Sequence, residues 1–154
     1  INYGEQASSI FIDLEWNDIT VAGVLSHMGA IYYYQGEFEI ALEYLKKSLQ
    51  PENEISLKTE IFSKTYISLI NKNLDSNYNK KELIMLINTF NDIEYELNYA
   101  LYQLLEELSY LETAYNQIQE KVSVIEKELG QKFLSYPIPK QIIEEWEKVS
   151  KVKN

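Results

Sequence analysis

Apolar residues recur at intervals of three and four along most of the chain, the spacing that puts them on one face of a helix. Leu25, Met28 and Tyr32 form one such set, and Phe38, Leu42 and Leu45 form the next. The β-prone run Ile31-Tyr32-Tyr33-Tyr34 is flanked on both sides by this helical period. The pattern therefore predicts an all-α protein. Its helices are expected over about Glu5–Trp16, Val21–Tyr34, Glu37–Gln50, Ile55–Lys72 and Lys80–Phe90. A further helical stretch is expected over Glu94–Leu129, and a last helix over Pro139–Lys151.

The breakers agree with this division. Gly36 follows the second predicted helix, where glycine takes the left-handed conformation of a helix end at little cost. Pro51 stops the third helix because proline has no N–H to continue the ladder. Asn79 with Glu82 three residues on resembles a capping box and opens the fifth helix after a polar loop. No glycine or proline occurs between Leu57 and Leu129.

That breaker-free stretch supports two readings. Leu97, Leu101, Leu104, Leu108, Leu111, Tyr115, Ile118, Val122, Ile125 and Leu129 keep an unbroken four-three spacing, the heptad mark of a coiled coil. One long helix over 97–129 would expose an apolar seam and invite a second copy of the chain, making this a homo-oligomerisation module. A turn near Ser109-Tyr110 would instead give a hairpin.

A second regularity has a longer period. Ala41 and Leu45 lie 34 residues after Ala7 and Phe11. Around them run Leu25, Met28-Gly29, Tyr32, Gly36, Ala41, Leu45 and Pro51. This succession resembles the tetratricopeptide repeat, whose pattern is a large residue, Leu-Gly, Tyr, Ala-x-x-x-Phe and a closing Pro. The physical logic is that Gly29 and Ala41 are small where two antiparallel helices cross, and the larger residues fill the remaining space.

The resemblance implies helical hairpins stacked as a right-handed solenoid with a C-terminal capping helix. It divides a single domain, 1–154, into a partial repeat at 1–20, a clear repeat at 21–55 and a degenerate one at 56–94. Residues 95–129 form a further degenerate repeat or the long helix, and 130–154 the cap. Tyr66 fills the tyrosine slot of the repeat at 56–94. Ile142, Ile143, Trp146 and Val149 supply the apolar stripe of the cap. Ala7 and Phe11 look like the second helix of a repeat whose first helix is absent, so a piece of a larger regulatory protein is expected.

In that family the first helix of each repeat lines a groove that holds a peptide or protein segment. Carried over by position, the groove residues are Ser26, His27, Ala30, Tyr33 and Tyr34 in the clear repeat. Lys64, Tyr99 and Gln103 follow from the degenerate ones, with Gly23, Glu60 and Glu106 beside them.

Charge and composition narrow the partner. The 154 residues carry 24 acidic and 14 basic side chains, all the basic ones lysine, for a formal charge of −10. Such a balance argues against direct nucleic-acid binding, which depends on basic patches, and favours a neutral or basic peptide. No run of about 18 apolar residues suggests a membrane span. With no cysteine, thiolate metal sites and cysteine nucleophiles are excluded. His27, the only histidine, has no triad or metal partner near it in sequence, and no phosphate loop or hydrolase motif occurs. The expectation is a non-catalytic, cytoplasmic binding module without metal or cofactor.

Overall fold

The computed structural model describes residues 20–153, so the helix expected at Glu5–Trp16 lies outside the described residues. Every regular element among them is helical. The order is α1 Val21–Tyr34, α2 Phe38–Ser48, α3 Leu57–Asn73, α4 Lys80–Asn88, α5 Tyr95–Leu105, α6 Leu108–Ser123, α7 Lys127–Ser135 and α8 Pro137–Lys153. Two compact units divide between Asp92 and Ile93. Each has its own packing.

In the first unit the helix ends are fixed locally. The Thr20 hydroxyl accepts the Gly23 N–H at 3.0 Å and starts α1. Gly36, at φ 79°, ends it, with the Glu37 N–H donating to the Tyr32 carbonyl and the Gly36 N–H to that of Tyr33. That pair of bonds is a Schellman turn. The Ser56 hydroxyl caps α3 through the Thr59 N–H at 3.1 Å. Asp75 closes α3 with a second Schellman turn, taking φ 53°, and Ser76 N–H reaches back to the Asn71 carbonyl at 2.7 Å.

α1 packs along α2, and α3 packs on both. The crossing is tight at Gly29, where an added Cβ would lie 2.5 Å from Leu45 Cγ and 3.2 Å from the Ala41 carbonyl oxygen. Ala30, Ala41, Leu45, Ile61, Tyr66 and Ile70 are buried there. The Ser48 and Ser63 hydroxyls, 2.7 Å apart, join α2 to α3 inside the core. α4 leans on α3 through Leu83 and Ile87.

In the second unit the chain does not run straight. Glu106 adopts the left-handed conformation, φ 59° and ψ 28°, and its N–H donates to the Tyr102 carbonyl at 2.8 Å. The helix therefore turns three residues before Ser109-Tyr110, and a second break at Val124–Glu126 separates α6 from α7. The continuous coiled-coil helix expected as one alternative over 97–129 does not form. Its physical reason is in the seam: Leu97, Leu101, Leu104, Leu111 and Ile118 are buried against the unit's own helices. Burying each such side chain stabilises by about 1.5–3 kcal/mol, whereas one left-handed residue costs about 1–2 kcal/mol. Folding back wins.

The core of this unit joins Tyr99, Leu111, Ala114, Ile118, Phe133 and Ile142. The expected cap stripe is there too, with Ile143, Trp146 and Val149 packed on that core and Trp146 stacked on Tyr115 at 5.4 Å. α8 begins at Pro137 rather than Pro139, so both prolines occupy the first turn, where a missing N–H costs nothing. The helical stretch expected to end at Leu129 instead gives way to a separate helix, α7, across residues 127–135.

Candidate functional site

The residues expected to line a groove fall into three groups once the side chains are placed. Ser26 and Ala30 are 1% and 0% exposed. They sit where α1 meets its neighbours and offer no surface to a ligand. The Ser26 hydroxyl is bonded to the Gly23 carbonyl at 2.7 Å. Tyr99, 6% exposed, is part of the second unit's core, and Gln103 lies half-buried one turn further along α5. These two belong to a different unit from the rest.

His27, Tyr33 and Tyr34 remain on α1, and the fold draws them into one aromatic assembly with α3. The His27 ring stacks on Phe62 at 4.7 Å, and Phe62 meets Tyr66 at 4.8 Å. Tyr66 takes the edge of Tyr33 at 5.4 Å, and Tyr33 stacks on Phe38 of α2 at 5.8 Å. Tyr34 closes the group, edge-on to Tyr33 at 5.2 Å, with its hydroxyl 2.9 Å from that of Tyr66. Phe62 and Tyr66 are buried, while Tyr33, Tyr34 and Phe38 keep part of their surface in solvent.

The local chemistry follows from this arrangement. His27 Nδ1 lies 2.8 Å from the Gly23 carbonyl oxygen, which can only accept, so Nδ1 carries the proton and the ring is anchored to its own helix. Burial pushes the Tyr33 hydroxyl above its ordinary pKa, against the opposing contact from Asn73 Nδ2 at 3.5 Å, so Tyr33 is neutral at physiological pH. An array of mutually braced rings with hydroxyl tips offers both apolar area and hydrogen bonds.

Lys64 stands apart from the rings. Its ammonium donates to Glu60 at 2.8 Å on its own helix and to Glu82 at 2.7 Å on α4. Burial works to lower its pKa, but the hydrogen bonds and charges of both carboxylates outweigh it and the value is raised.

The sequence placed Phe38 and Tyr66 in the core and did not single out Phe62 or Asn73. The signal for Phe62 was present: it lies one turn before Tyr66, on the face of α3 that meets α1. Among the described residues no group of three or more His, Cys, Asp or Glu side chains could hold a metal ion. No described helix is long and apolar enough to cross a membrane. Compared with known proteins, the chain matches no family model, no curated protein and no solved structure.

Proposed function

We propose that this chain is a non-catalytic module that binds a segment of another protein, built as a tetratricopeptide-like array of helical hairpins. The observation that carries the reading is the half-exposed trio Tyr33, Tyr34 and Phe38 standing on the buried rings of Phe62 and Tyr66. Rings braced in this way lose little freedom when a partner covers them, so burial of their area converts into affinity with a small ordering cost. Aromatic anchors of this kind dominate the energy of protein interfaces.

The close Gly29–Leu45 crossing, and the way α3 lies against both α1 and α2, support the hairpin-array part of the reading. Net charge supports the partner chemistry: at −10, the chain repels acidic segments and favours a neutral or basic, apolar peptide. This module acts within a larger regulatory protein.

Fluorescence anisotropy with short labelled peptides of basic-apolar, neutral and acidic composition tests the proposal. Basic-apolar peptides bind most tightly, and Tyr33→Ala weakens them by about tenfold or more, the loss of a typical aromatic anchor. Unchanged affinity in Tyr33→Ala, with the helical circular-dichroism signal retained, overturns it.

A further inference from the structure

α4 is a helix that its own sequence does little to sustain. It has nine residues, whereas a helix without tertiary support needs about 12–15 to be even marginal in water. Its charges run against the macrodipole. Lys80 and Lys81 stand at the positive end beside a single acid, Glu82, and no basic residue in the last turn answers the negative end. The caps are the exception. Asn79 Oδ1 accepts the Glu82 N–H at 3.2 Å, and the Thr89 N–H and hydroxyl both donate to the Leu86 carbonyl.

What keeps α4 helical is therefore its contact with α3, and that contact is narrow. Leu83 and Ile87, one turn apart, are its buried residues, against eight on α3. Met85, between them in sequence, is 70% exposed. One ion pair joins the two helices: Lys64 Nζ lies 2.7 Å from Glu82 Oε1, with Glu82 half in solvent. Such an exposed pair contributes little. Lys64 also holds Glu60 on its own helix at 2.8 Å, a bond that does not need α4. α3 is capped by Ser56, closed by the turn at Asp75, and packed on α1 and α2.

Two fixed points bound the segment. On one side the Ser76 N–H is tied to the Asn71 carbonyl at 2.7 Å. On the other, the Asn98 and Gln117 side-chain amides hold the Ile93 carbonyl at 2.9 and 2.7 Å. Between each point and α4 the chain is non-helical, over 77–79 and 89–92. Neither link contains a proline that would stiffen it.

We propose that residues 77–92 form a strap that opens and closes on α3 as one cooperative unit while α1, α2 and α3 stay folded. Lifting it breaks the Lys64–Glu82 pair, withdraws Leu83 and Ile87, and uncovers the α3 face of Lys64, Ile67, Ser68 and Asn71. The first unit thus has two states that differ in whether this face is covered. Once off α3 the nine-residue helix melts, and its costly nucleation makes the return all-or-none. Elements with few buried apolar contacts are the ones that open locally in this way. The strap contains none of the ring-assembly residues, so it stands or falls independently of the peptide-binding reading.

Native-state hydrogen exchange of the full chain, followed by NMR in low guanidinium, tests the strap. Corrected for intrinsic rates, the Leu86, Ile87 and Asn88 amides are expected to share one opening, about tenfold or more easier than that of Leu69 and Ile70 on α3. That opening depends more weakly on guanidinium, because it exposes less surface. Leu83→Ala is expected to speed the α4 amides by about tenfold or more, with those of α3 unchanged. Glu82→Gln, a surface change that keeps the test open if Leu83→Ala fails to fold, speeds them by about two- to fivefold. Equal protection and equal guanidinium dependence in α4 and α3 overturn the proposal. So does a variant that speeds both helices alike, or exchange graded from the ends of α4 inward without a shared opening.

Discussion

Gly29 on α1 and Leu45 on α2 occupy the same small volume: a Cβ on Gly29 would stand 2.5 Å from Leu45 Cγ and 2.7 Å from its Cδ2. Glycine within a helix normally costs about 1 kcal/mol relative to alanine, so an exposed site would gain from replacement. Here Leu45 is fully buried and the Ala41 carbonyl closes the other side, so the side chain has nowhere to swing. Gly29→Ala is expected to destabilise by about 1–3 kcal/mol, the usual cost of overpacking, as a lower midpoint in urea. Adding Leu45→Ala frees the space, so the double variant is more stable than the sum of the two losses implies.

The left-handed positions give changes of opposite sign. Asp75 and Glu106 adopt positive φ without being glycine, at a conformational cost of about 1–2 kcal/mol each. Glycine removes that cost while adding about 0.5–1 kcal/mol of chain entropy to be lost on folding. Asp75→Gly is therefore expected to stabilise by about 0.5–1 kcal/mol on balance, seen as a raised melting temperature. A fall in melting temperature would mean that the left-handed turn at Asp75 costs less than the added freedom of the unfolded chain.

Three groups bind the start of α5 to α6. The Asn98 and Gln117 side-chain amides both donate to the Ile93 carbonyl, at 2.9 and 2.7 Å, and Asn98 also donates to Gln117 Oε1 at 3.0 Å. Asn98 is buried. Asn98→Ala is expected to cost about 1–3 kcal/mol by leaving buried polar groups unmatched. Gln117→Ala in the same background adds less than it does alone, because the network is shared. Denaturation of the two singles and the double measures this, and simple additivity would show that the three groups act independently.

Tyr102 gives a pH signature. Desolvation, then the hydrogen bond to Glu145 at 2.9 Å and the negative charges of Glu145, Tyr99 and Glu106, raise its pKa to about 12. The unfolded chain releases this proton near pH 10 while the folded chain still holds it. The Tyr102 contribution to stability is thus complete below about pH 10 and declines between about pH 10 and 12. Ring-carbon NMR of labelled tyrosine follows the titration directly. Glu145→Gln is expected to bring Tyr102 back toward the ordinary tyrosine range, and an unmoved titration would rule out Glu145 as a cause.

The all-α class and most helix ends were legible because they depend on local chemistry. Gly36, Asn79 and the apolar spacing of α1 to α4 act over a few residues, and the expected ends lie at most two positions from the observed ones. The place of the break was not legible: the hairpin alternative put the turn near Ser109-Tyr110, and it falls at Glu106. Nothing in Glu106-Glu107 marks a turn; the turn arises because Leu104 and Leu111 find more cover inside the unit than a straight helix could give them. The capping stripe of α8 was readable, as Ile142 and Trp146 follow a helical period, but the start of α7 was hidden because the heptad pattern runs across the break at 124–126 to Leu129.

The candidate site was half legible for the same reason. Tyr33 and Tyr34 stand out as consecutive rings that cannot all face one way. Ser26 and Ala30, two turns and one turn earlier on the same helix, were assigned to a groove by position, yet both are buried against neighbouring helices. Phe62 completes the assembly from thirty-five residues after His27 in the chain, a separation at which periodicity carries no information about partners.

Pro137 and Pro139 in the opening turn of α8 have a directional effect. Only Tyr136 separates that helix from α7, and two consecutive helices so close together could fuse into a single rod. Pro137 forbids it, since its ring excludes helical geometry at the residue before it and it has no hydrogen to donate backward. The corner at Tyr136 is thereby written into the covalent chain, and Trp146 is carried back onto Tyr115 whatever the surroundings of this segment become.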